Sequence, residues 1–385
     1  MAINIPSTLK ATALKKIAFK CGISISGTKP ILIQRLQDEL PYIILSPGTT
    51  SASTTADSQS LRILSIDMGI RNFSYCLLEI PSSNSTLKSK KIRKVSSGAL
   101  NLKSPQKKPK STIPILQSWQ KLSLLSQSPS PSQSPDSESE AALKDKEKIR
   151  NEFTPAILSS AAYKLLRHTL LPLSPTHILI ERQRFRSMGS KHILEWTIRV
   201  NMLESMLWAT LKTLSEEKVW AGQVIEIAPR KVGSFWVEES GLLGEEDATF
   251  KKVRTTKEAK ARNKGAKIDL VRKWLEDQPD RETSHDEMVL IGSQQVQKVK
   301  ERYTAKWDRK VGRAKGYKVK SKSSSAPKTE SEGEKKETKE MANAKEEEVG
   351  KLDDLADCLL QGMAWLKWQE NRKRALEEGV EVLLD

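Results

Sequence analysis

The sequence predicts an α/β fold, a sheet with helices on its faces, preceded by a small N-terminal helical module. Two observations carry this prediction. From residue 61 onward, apolar runs of strand length alternate with longer segments of helical periodicity. Before that point, two short amphipathic helices are followed by a segment rich in Ser, Thr, Pro and Ala. The 385 residues suffice for one large domain or two modest ones.

Composition narrows the classes of function. The chain has 65 Lys and Arg against 48 Asp and Glu, a net charge of +17, which favours a polyanionic partner such as nucleic acid. Three cysteines without a C-x-x-C pair make a disulfide framework or a cysteine zinc site implausible. Four histidines without metal-ligand spacing argue against a histidine zinc centre. We expect no membrane segment, because no apolar run is long enough.

Residues 1–45 predict a two-helix module. Gly22 ends the first helix, Thr28 caps the second, and Pro30 suits its first turn. The apolar stripes of the two helices comprise Leu14, Ile17, Ala18, Leu32, Ile33 and Leu36. This pattern resembles the SAP motif, a DNA-binding module, at Leu9, Leu14, Ile17, Gly22, Gly27, Lys29 and Leu36.

The SAP resemblance implies that lysines of this module contact DNA phosphates, namely Lys15, Lys16 and Lys29, together with Lys20. The alternative is an amphipathic organelle-targeting leader or partner helix, because the first 35 residues contain no acid. A removed leader would not need the second, well-capped helix.

The remaining chain divides into a linker at 46–60 and a large domain at 61–385 with flexible insertions at about 103–147 and 318–348. The predicted strands are Leu61–Asp67, Asn72–Ile80, Ile92–Leu100, His177–Glu181 and Val224–Ala228. The predicted helices are Phe153–Leu171, Ile193–Leu214, Ile268–Leu275 and a final helix that begins near Asp353.

Acidic side chains interrupt apolar secondary structure at three places. Asp67 ends the first strand, Glu181 ends the strand HILIE, and Asp353, Asp354 and Asp357 lie at the start of the last helix. Parallel strands would bring Asp67 and Glu181 to one edge of the sheet, and either Asp353 or Asp354 shares a helix face with Asp357. Most of these acids also have an ordinary interpretation: a helix N-cap for Asp353 or Asp354, a surface ion pair for Glu181, or a turn for Asp67. Asp357 is harder to explain in this way, because it lies inside an apolar turn between Ala356 and Cys358.

Crowded carboxylates repel one another, so the arrangement is sensible chiefly if a cation neutralises it. Oxygen ligands without His or Cys favour Mg²⁺, with Mn²⁺ as the alternative. Two such ions about 4 Å apart can activate a water and stabilise the leaving oxygen in phosphodiester hydrolysis. We therefore expect a catalytic site with two metal ions and no small-molecule cofactor.

The acid-bearing segments resemble a known family. They read SIDMGIRNFSYC, ILIERQRFRS, RVNMLESML and KLDDLADCLLQGMAW, and are similar to signature blocks of the fungal mitochondrial Holliday-junction resolvases, a RuvC-type branch of the RNase H-like superfamily. The resemblance implies an RNase H-like mixed sheet. It also implies catalytic and metal-binding roles for Asp67, Glu181, Asp357 and one of Asp353 and Asp354, between which the sequence does not choose.

The same resemblance implies a homodimer that binds four-way junction DNA in the mitochondrial matrix and nicks two strands symmetrically during recombination. Some predicted DNA contacts follow the acidic residues, namely Arg71, Arg182, Gln183, Arg184, Phe185 and Arg186. Others lie where strand-to-helix connections would face the substrate, namely Arg230, Lys231, Lys264 and Lys267. Phe185 could stack on a base exposed at the branch point, or it could belong to the core.

Three other functions compete. An actin-like ATPase or sugar kinase also opens with a strand, an acid and a Gly, but the chain has a single D-x-G and no Gly-rich adenosine loop. A non-catalytic SAP-type DNA-binding protein would gain nothing from the acids. An RNase H-like nuclease acting on RNA–DNA hybrids would use the same chemistry on another substrate.

Overall fold

The structure, a computed structural model, describes residues 5–42, 60–81, 113–125, 153–183, 195–239, 257–276, 288–305, 307–308, 313–314 and 332–384. For 237–239, 257–264, 307–308, 313–314 and 332–351 it describes the backbone alone.

A six-stranded mixed sheet forms the centre of the fold. Its strands in chain order are β1 Leu61–Asp67, β2 Phe73–Ile80, β3 Ile115–Leu122, β4 His177–Glu181, β5 Gln223–Ile227 and β6 Leu290–Ile291. Their spatial order is β5-β4-β1-β2-β3-β6, with β1, β2 and β3 antiparallel and with β4 and β5 parallel to β1. The antiparallel meander extended by two parallel strands is the RNase H-like arrangement, so the predicted fold class is confirmed. A separate ribbon pairs β7 Trp307–Asp308 with β8 Arg313–Ala314.

The α-helices in chain order are α1 Ala11–Lys20, α2 Lys29–Glu39, α3 Pro155–Lys164, α4 Glu195–Glu216, α5 Pro229–Glu239, α6 Lys257–Leu275, α7 Gln294–Ala305 and α8 Glu332–Glu377. Helices α3 to α8 cover both faces of the sheet, which explains why β1 is apolar along most of its length. Alternate residues of β1 face opposite cores: Ile63 packs with α5 to α8, while Leu64 packs with α3 and α4. Among the described helices, none combines the length and apolar character needed to cross a bilayer.

Two predicted flexible stretches contain ordered elements, which corrects the sequence interpretation. β3 lies inside 103–147, where Ser- and Pro-rich flanks mask a strand that buries Trp119. α8 begins at Glu332, inside 318–348, and so starts 21 residues before Asp353, the predicted start. The third strand predicted at Ile92–Leu100 lies outside the described residues, and β3 occupies the third place of the meander.

The N-terminal module has the predicted two helices. Gly22 adopts φ +66° at the end of α1, Thr28 precedes α2 in an extended conformation, and Pro30 lies in the first turn of α2. All the predicted stripe residues are buried except Ile33, which is half-buried. The predicted linker 46–60 lies outside the described residues apart from Ser60.

The module is packed onto the α/β domain. Ala375, Val380 and Leu383 from the C-terminal segment belong to its hydrophobic core. Lys231 Nζ donates to the carbonyl of Gly22 at 2.8 Å, and Asn371 donates to the carbonyl of Lys20 at 2.7 Å. The module and the end of α8 therefore form one packed unit.

Candidate functional site: an acidic edge of the sheet

The pairing of β1 with β4 brings the first two acids together. Ile66 is level with Ile180 in the parallel register, so Asp67 and Glu181 follow as neighbours at the carboxyl ends of the two strands. Their side chains share a hydrogen bond. Two carboxylates this close repel one another when both are ionised, so the pair favours a species that neutralises one of the charges.

Helix α8 supplies the remaining acids and is fixed to the same part of the sheet. Gln361 donates to the carbonyl of Ile66 at 3.0 Å, and Ser74 Oγ donates to the carbonyl of Asp354 at 2.7 Å. Trp119 of β3 donates its indole N–H to the carbonyl of Leu355 at 2.9 Å. These bonds hold the turn of α8 that carries Asp353, Asp354 and Asp357 against the ends of β1 and β2.

The acids act on one another electrostatically. The pKa of Asp67 is raised well above its usual value, first by burial, then by the hydrogen bond with Glu181 and the charges of Glu181, Asp357 and Asp354. The pKa of Asp357 is raised to about 6, mainly by burial, with further contributions from Asp353 and Glu181 that Lys267 opposes. Four carboxylates that sequence separates by up to 290 residues thus converge on one edge.

Two lysines neutralise part of this charge. Lys267 Nζ lies 2.7 Å from Asp357 Oδ1, and Lys121 Nζ lies 2.5 Å from Asp354 Oδ2. Burial alone would lower the pKa of Lys267, but the charges of Asp357, Asp353 and Asp67 raise it above its usual value. The cluster is therefore internally paired.

The arrangement bears on the choice between Asp353 and Asp354. Asp354 is among the charges that raise the pKa of Asp67, and it lies three residues before Asp357 on the same helix face. Asp353 is buried at 6% exposure, and its charge raises the pKa of Tyr303 in the core behind the site. Both aspartates therefore act on the site, Asp354 through Asp67 and Asp353 through Asp357 and Lys267.

The donor set fits a hard divalent cation, because it is composed of carboxylate oxygens whose mutual repulsion a cation would relieve. Within the described ranges, no group of three or more Asp, Glu, His or Cys side chains is drawn together closely enough to hold a metal ion as it stands. Asp354 and Asp357 are each paired with an ammonium group, that of Lys121 and that of Lys267.

The predicted DNA contacts are placed in different ways. Arg71 is exposed four residues after Asp67, with its guanidinium 5.6 Å from the centre of the Phe153 ring. Arg182 pairs with Glu226 at 2.7 Å, and the backbone N–H of Gln183 donates to Glu204. Arg184, Phe185 and Arg186 lie outside the described residues, as does the side chain of Lys264.

The other predicted contacts lie on or beside the N-terminal module. Lys15 and Arg230 are exposed. Lys16 donates to the carbonyl of Leu384 at 2.5 Å, Lys29 to that of Ser7 at 2.6 Å, and Lys231 to that of Gly22. These three lysines thus make hydrogen bonds within the protein and Lys267 pairs with Asp357, while their DNA contacts stay predictions.

Two polar residues near the site were not predicted. Lys121 lies in the stretch interpreted as flexible, so no sequence signal placed it on a strand. Glu204 lies on α4 and accepts a hydrogen bond from Gln183 N at 3.1 Å, and burial raises the pKa of Glu204. A glutamate on an otherwise apolar helix face was the available signal for Glu204.

The strand order and the acidic edge together define an RNase H-like protein. A family profile described as mitochondrial resolvase Ydc2 / RNA splicing MRS1 matches residues 63–375. Because this match covers most of the chain, the chain belongs to that family.

Individual relatives extend the comparison. The mitochondrial cruciform cutting endonuclease 1 of Schizosaccharomyces pombe is 26% identical over 234 residues, covering 60% of this chain and 67% of that protein. Its namesake from Saccharomyces cerevisiae is 22% identical over 382 residues, covering 96% and 84%. The crystal structure of the yeast mitochondrial Holliday junction resolvase Ydc2 aligns over 97% of this chain and 100% of its own, with a TM-score of 0.48 and 20% identity.

Proposed function

We propose that the protein is a structure-specific endodeoxyribonuclease that resolves four-way DNA junctions in mitochondria. The observation that carries the proposal is the convergence of Asp67, Glu181, Asp354 and Asp357 at one edge of an RNase H-like sheet. The names of the relatives agree with this function, since they are cruciform-cutting and junction-resolving enzymes.

The acids set the chemistry of the site. Asp67, Glu181, Asp357 and one of Asp353 and Asp354 would hold Mg²⁺, two ions per site, with Mn²⁺ as a substitute. Bound divalent ions supply an activated water and charge stabilisation at the leaving oxygen. The half-buried position of Asp67 strengthens its interaction with any cation, because fewer waters screen it than at an exposed site.

The chain's own cations position the substrate. Lys121 and Lys267 face the carboxylates and can turn to a phosphate when the carboxylates take up a cation. Arg71 follows the same strand end as Asp67, so it lies where a strand entering the site would pass. The net charge of +17 adds sequence-independent affinity for DNA arms.

The family description also names an RNA-splicing protein. A protein that acts only by binding RNA gains nothing from four clustered carboxylates, because they repel phosphates unless cations are present. The acidic edge therefore favours the nuclease. The same residues would serve an RNase H-like enzyme on RNA–DNA hybrids, so the substrate must be tested directly.

We further propose a homodimer in the mitochondrial matrix. Two active sites related by a two-fold axis match a junction with two-fold symmetry, and paired cuts on strands of like polarity follow from that match. Sedimentation velocity on the full chain, with and without junction DNA, tests the dimer.

The function is tested with a substrate panel: a four-way junction, a linear duplex of the same sequence, and an RNA–DNA hybrid. We expect Mg²⁺-dependent paired nicks in the junction, with little cleavage of the duplex or the hybrid. Preferential cleavage of the hybrid would favour the RNase H-like alternative. Binding of every substrate without cleavage in Mg²⁺ or Mn²⁺ would favour a passive DNA-binding protein.

A further inference from the structure

An aromatic and arginine cluster stands next to the acidic edge, and Arg71 is its only member with a role in the function proposed above. Phe153, before α3, lies at its centre and is buried at 5% exposure. Arg199 of α4 covers the Phe153 ring at 4.2 Å from its centre, and Arg71 approaches the ring at 5.6 Å. Trp196 meets the ring edge-on at 5.5 Å and leaves 43% of its own surface exposed.

The cluster projects beyond the sheet at its catalytic end. Near the acidic edge, the backbone N–H of Gln183 donates to Glu204 in the third turn of α4. At the opposite end of β4, Trp220, which follows α4, donates to the carbonyl of Pro175. Helix α4 therefore runs antiparallel to β4, and its first turns lie at the acidic end of the sheet. Trp196 lies eight residues before Glu204, which at 1.5 Å per residue is about 12 Å along the helix axis. The first turns of α4 thus extend past the strand ends that carry Asp67 and Glu181.

The distance of about 12 Å between Trp196 and Glu204 suits a nucleic-acid strand that passes over the site. At 3.4 Å per stacked nucleotide, about 12 Å corresponds to roughly three to four nucleotides. An indole accepts any base on its π-face, and nearby guanidinium groups can bind the flanking phosphates. Stacking on Trp196 requires an unpaired base, which a continuous duplex does not offer but an opened branch point does.

We propose that Trp196, supported by Phe153, Arg71 and Arg199, is a stacking site for an unpaired base at the centre of the junction, within about four nucleotides of the cleaved bond. This inference rests on the proposed function. A second copy of the chain is the rival occupant, since Ile198 beside Trp196 is 44% exposed. A two-fold interface there would bury Arg71 and the Arg199–Glu195 ion pair of each copy in a desolvated contact, which is costly, whereas DNA suits a chain with a net charge of +17.

The test replaces the aromatic surface while keeping an apolar one. Trp196→Leu removes the stacking face, and Trp196→Phe preserves it. Tyr163→Leu is the matched control, because Tyr163 is an aromatic residue of α3 with 51% exposure and takes no part in the ring and arginine contacts described here. Each full-length variant is titrated with a four-way junction carrying 2-aminopurine at successive positions around the branch point, and with a linear duplex.

Stacking predicts that wild-type protein quenches 2-aminopurine within four nucleotides of the mapped nick, and that Trp196→Leu abolishes the quenching and weakens junction binding about 5- to 100-fold. Trp196→Phe and Tyr163→Leu should keep both properties, and duplex affinity should be unchanged in all variants.

Unchanged quenching and junction affinity in Trp196→Leu would overturn the stacking site while leaving resolution intact. A shift of Trp196→Leu to monomers in sedimentation would also overturn it in favour of a subunit contact. Failure of the proposed function would instead appear as wild-type protein that does not cleave junctions.

Discussion

The ammonium group of Lys267 lies 2.7 Å from Asp357 Oδ1, so an acid proposed to bind metal is held by a lysine in the protein alone. Lys121 stands in the same relation to Asp354 across the site. Together the two pairs explain how the fold tolerates an acidic cluster before a cation is present. Lysine and cation should therefore substitute for one another in stabilising the site.

Lys267→Met tests this substitution. In EDTA the variant should lose about 1–2 kcal/mol of stability, because Asp357 loses its partner while remaining close to Asp353 and Glu181. Mg²⁺ should raise the Tm of the variant more than that of the wild type. Lys212→Met removes an exposed ion pair with Glu216 and should change neither the stability in EDTA nor the increase in Tm caused by Mg²⁺. An equal Mg²⁺ response in all three proteins would refute the substitution.

His177 links stability to pH. Burial lowers its pKa to about 4, whereas an unfolded chain has a value near 6.5, so the unfolded state binds more protons between these limits. His177 therefore contributes its full share to the free energy of unfolding above about pH 6.5. That share, about 3 kcal/mol, is lost as the pH falls toward 4.

The slope of unfolding free energy against pH from urea titrations measures this effect. His177→Phe keeps a ring against Trp365 and should flatten the slope between pH 6.5 and 4. His168→Gln changes an exposed histidine and should leave the slope unchanged. A parallel slope in His177→Phe and wild type would contradict the assignment.

Gly22 joins the N-terminal module to α8. A Cβ at this position would lie 2.4 Å from Trp368 Cδ2, and φ is +66°. Gly22→Ala should therefore destabilise the module through both a clash and backbone strain, the latter roughly 1–2 kcal/mol. Limited proteolysis should cut the module of the variant sooner.

Gly379→Ala is the matched control, since Gly379 has φ +94° but no atom within 4 Å of the position that a Cβ would take. It should show the strain without the clash. If the two variants resist proteolysis equally, the contact of Gly22 with Trp368 does not hold the module against α8.

The packing of the module changes how its DNA contacts are tested. Deleting residues 1–45 would uncover Ala375, Val380 and Leu383, so lost activity in that deletion could reflect unfolding. Lys15→Glu alters an exposed lysine on α1 instead. It should weaken binding to all DNA arms alike and reduce the salt dependence of binding, because phosphate contacts carry no sequence information. An unchanged salt dependence would argue against a phosphate contact at Lys15.

The sequence predicted the parts of the site that follow from strand ends and helix spacing. Asp67 and Glu181 each end an apolar strand, and the three-residue spacing of Asp354 and Asp357 places them together on a helix. Lys121 could not be predicted, because its strand is surrounded by Ser- and Pro-rich sequence. The cluster at Phe153 and Trp196 depends on tertiary packing between segments 43 residues apart, which local periodicity does not encode.

The same limit applies to the N-terminal module. Its helices follow from local signals, yet its attachment depends on Trp368, Asn371 and Leu383 at the other end of the chain. Lys16 and Lys231 were predicted to contact DNA because basic residues in loops and helices suit phosphates. Their partners are carbonyl oxygens of distant residues, which sequence spacing cannot reveal.

The most direct test of the central claim is single-turnover cleavage of a four-way junction by Asp67→Asn in Mg²⁺, with junction affinity measured in parallel. The amide can keep the hydrogen bond with Glu181 but is a poor ligand for a hard cation, so cleavage should fall by at least about 100-fold while affinity stays within a few-fold of wild type. Cleavage at the wild-type rate with unchanged binding would contradict the assignment of Asp67 to a metal-dependent nuclease site.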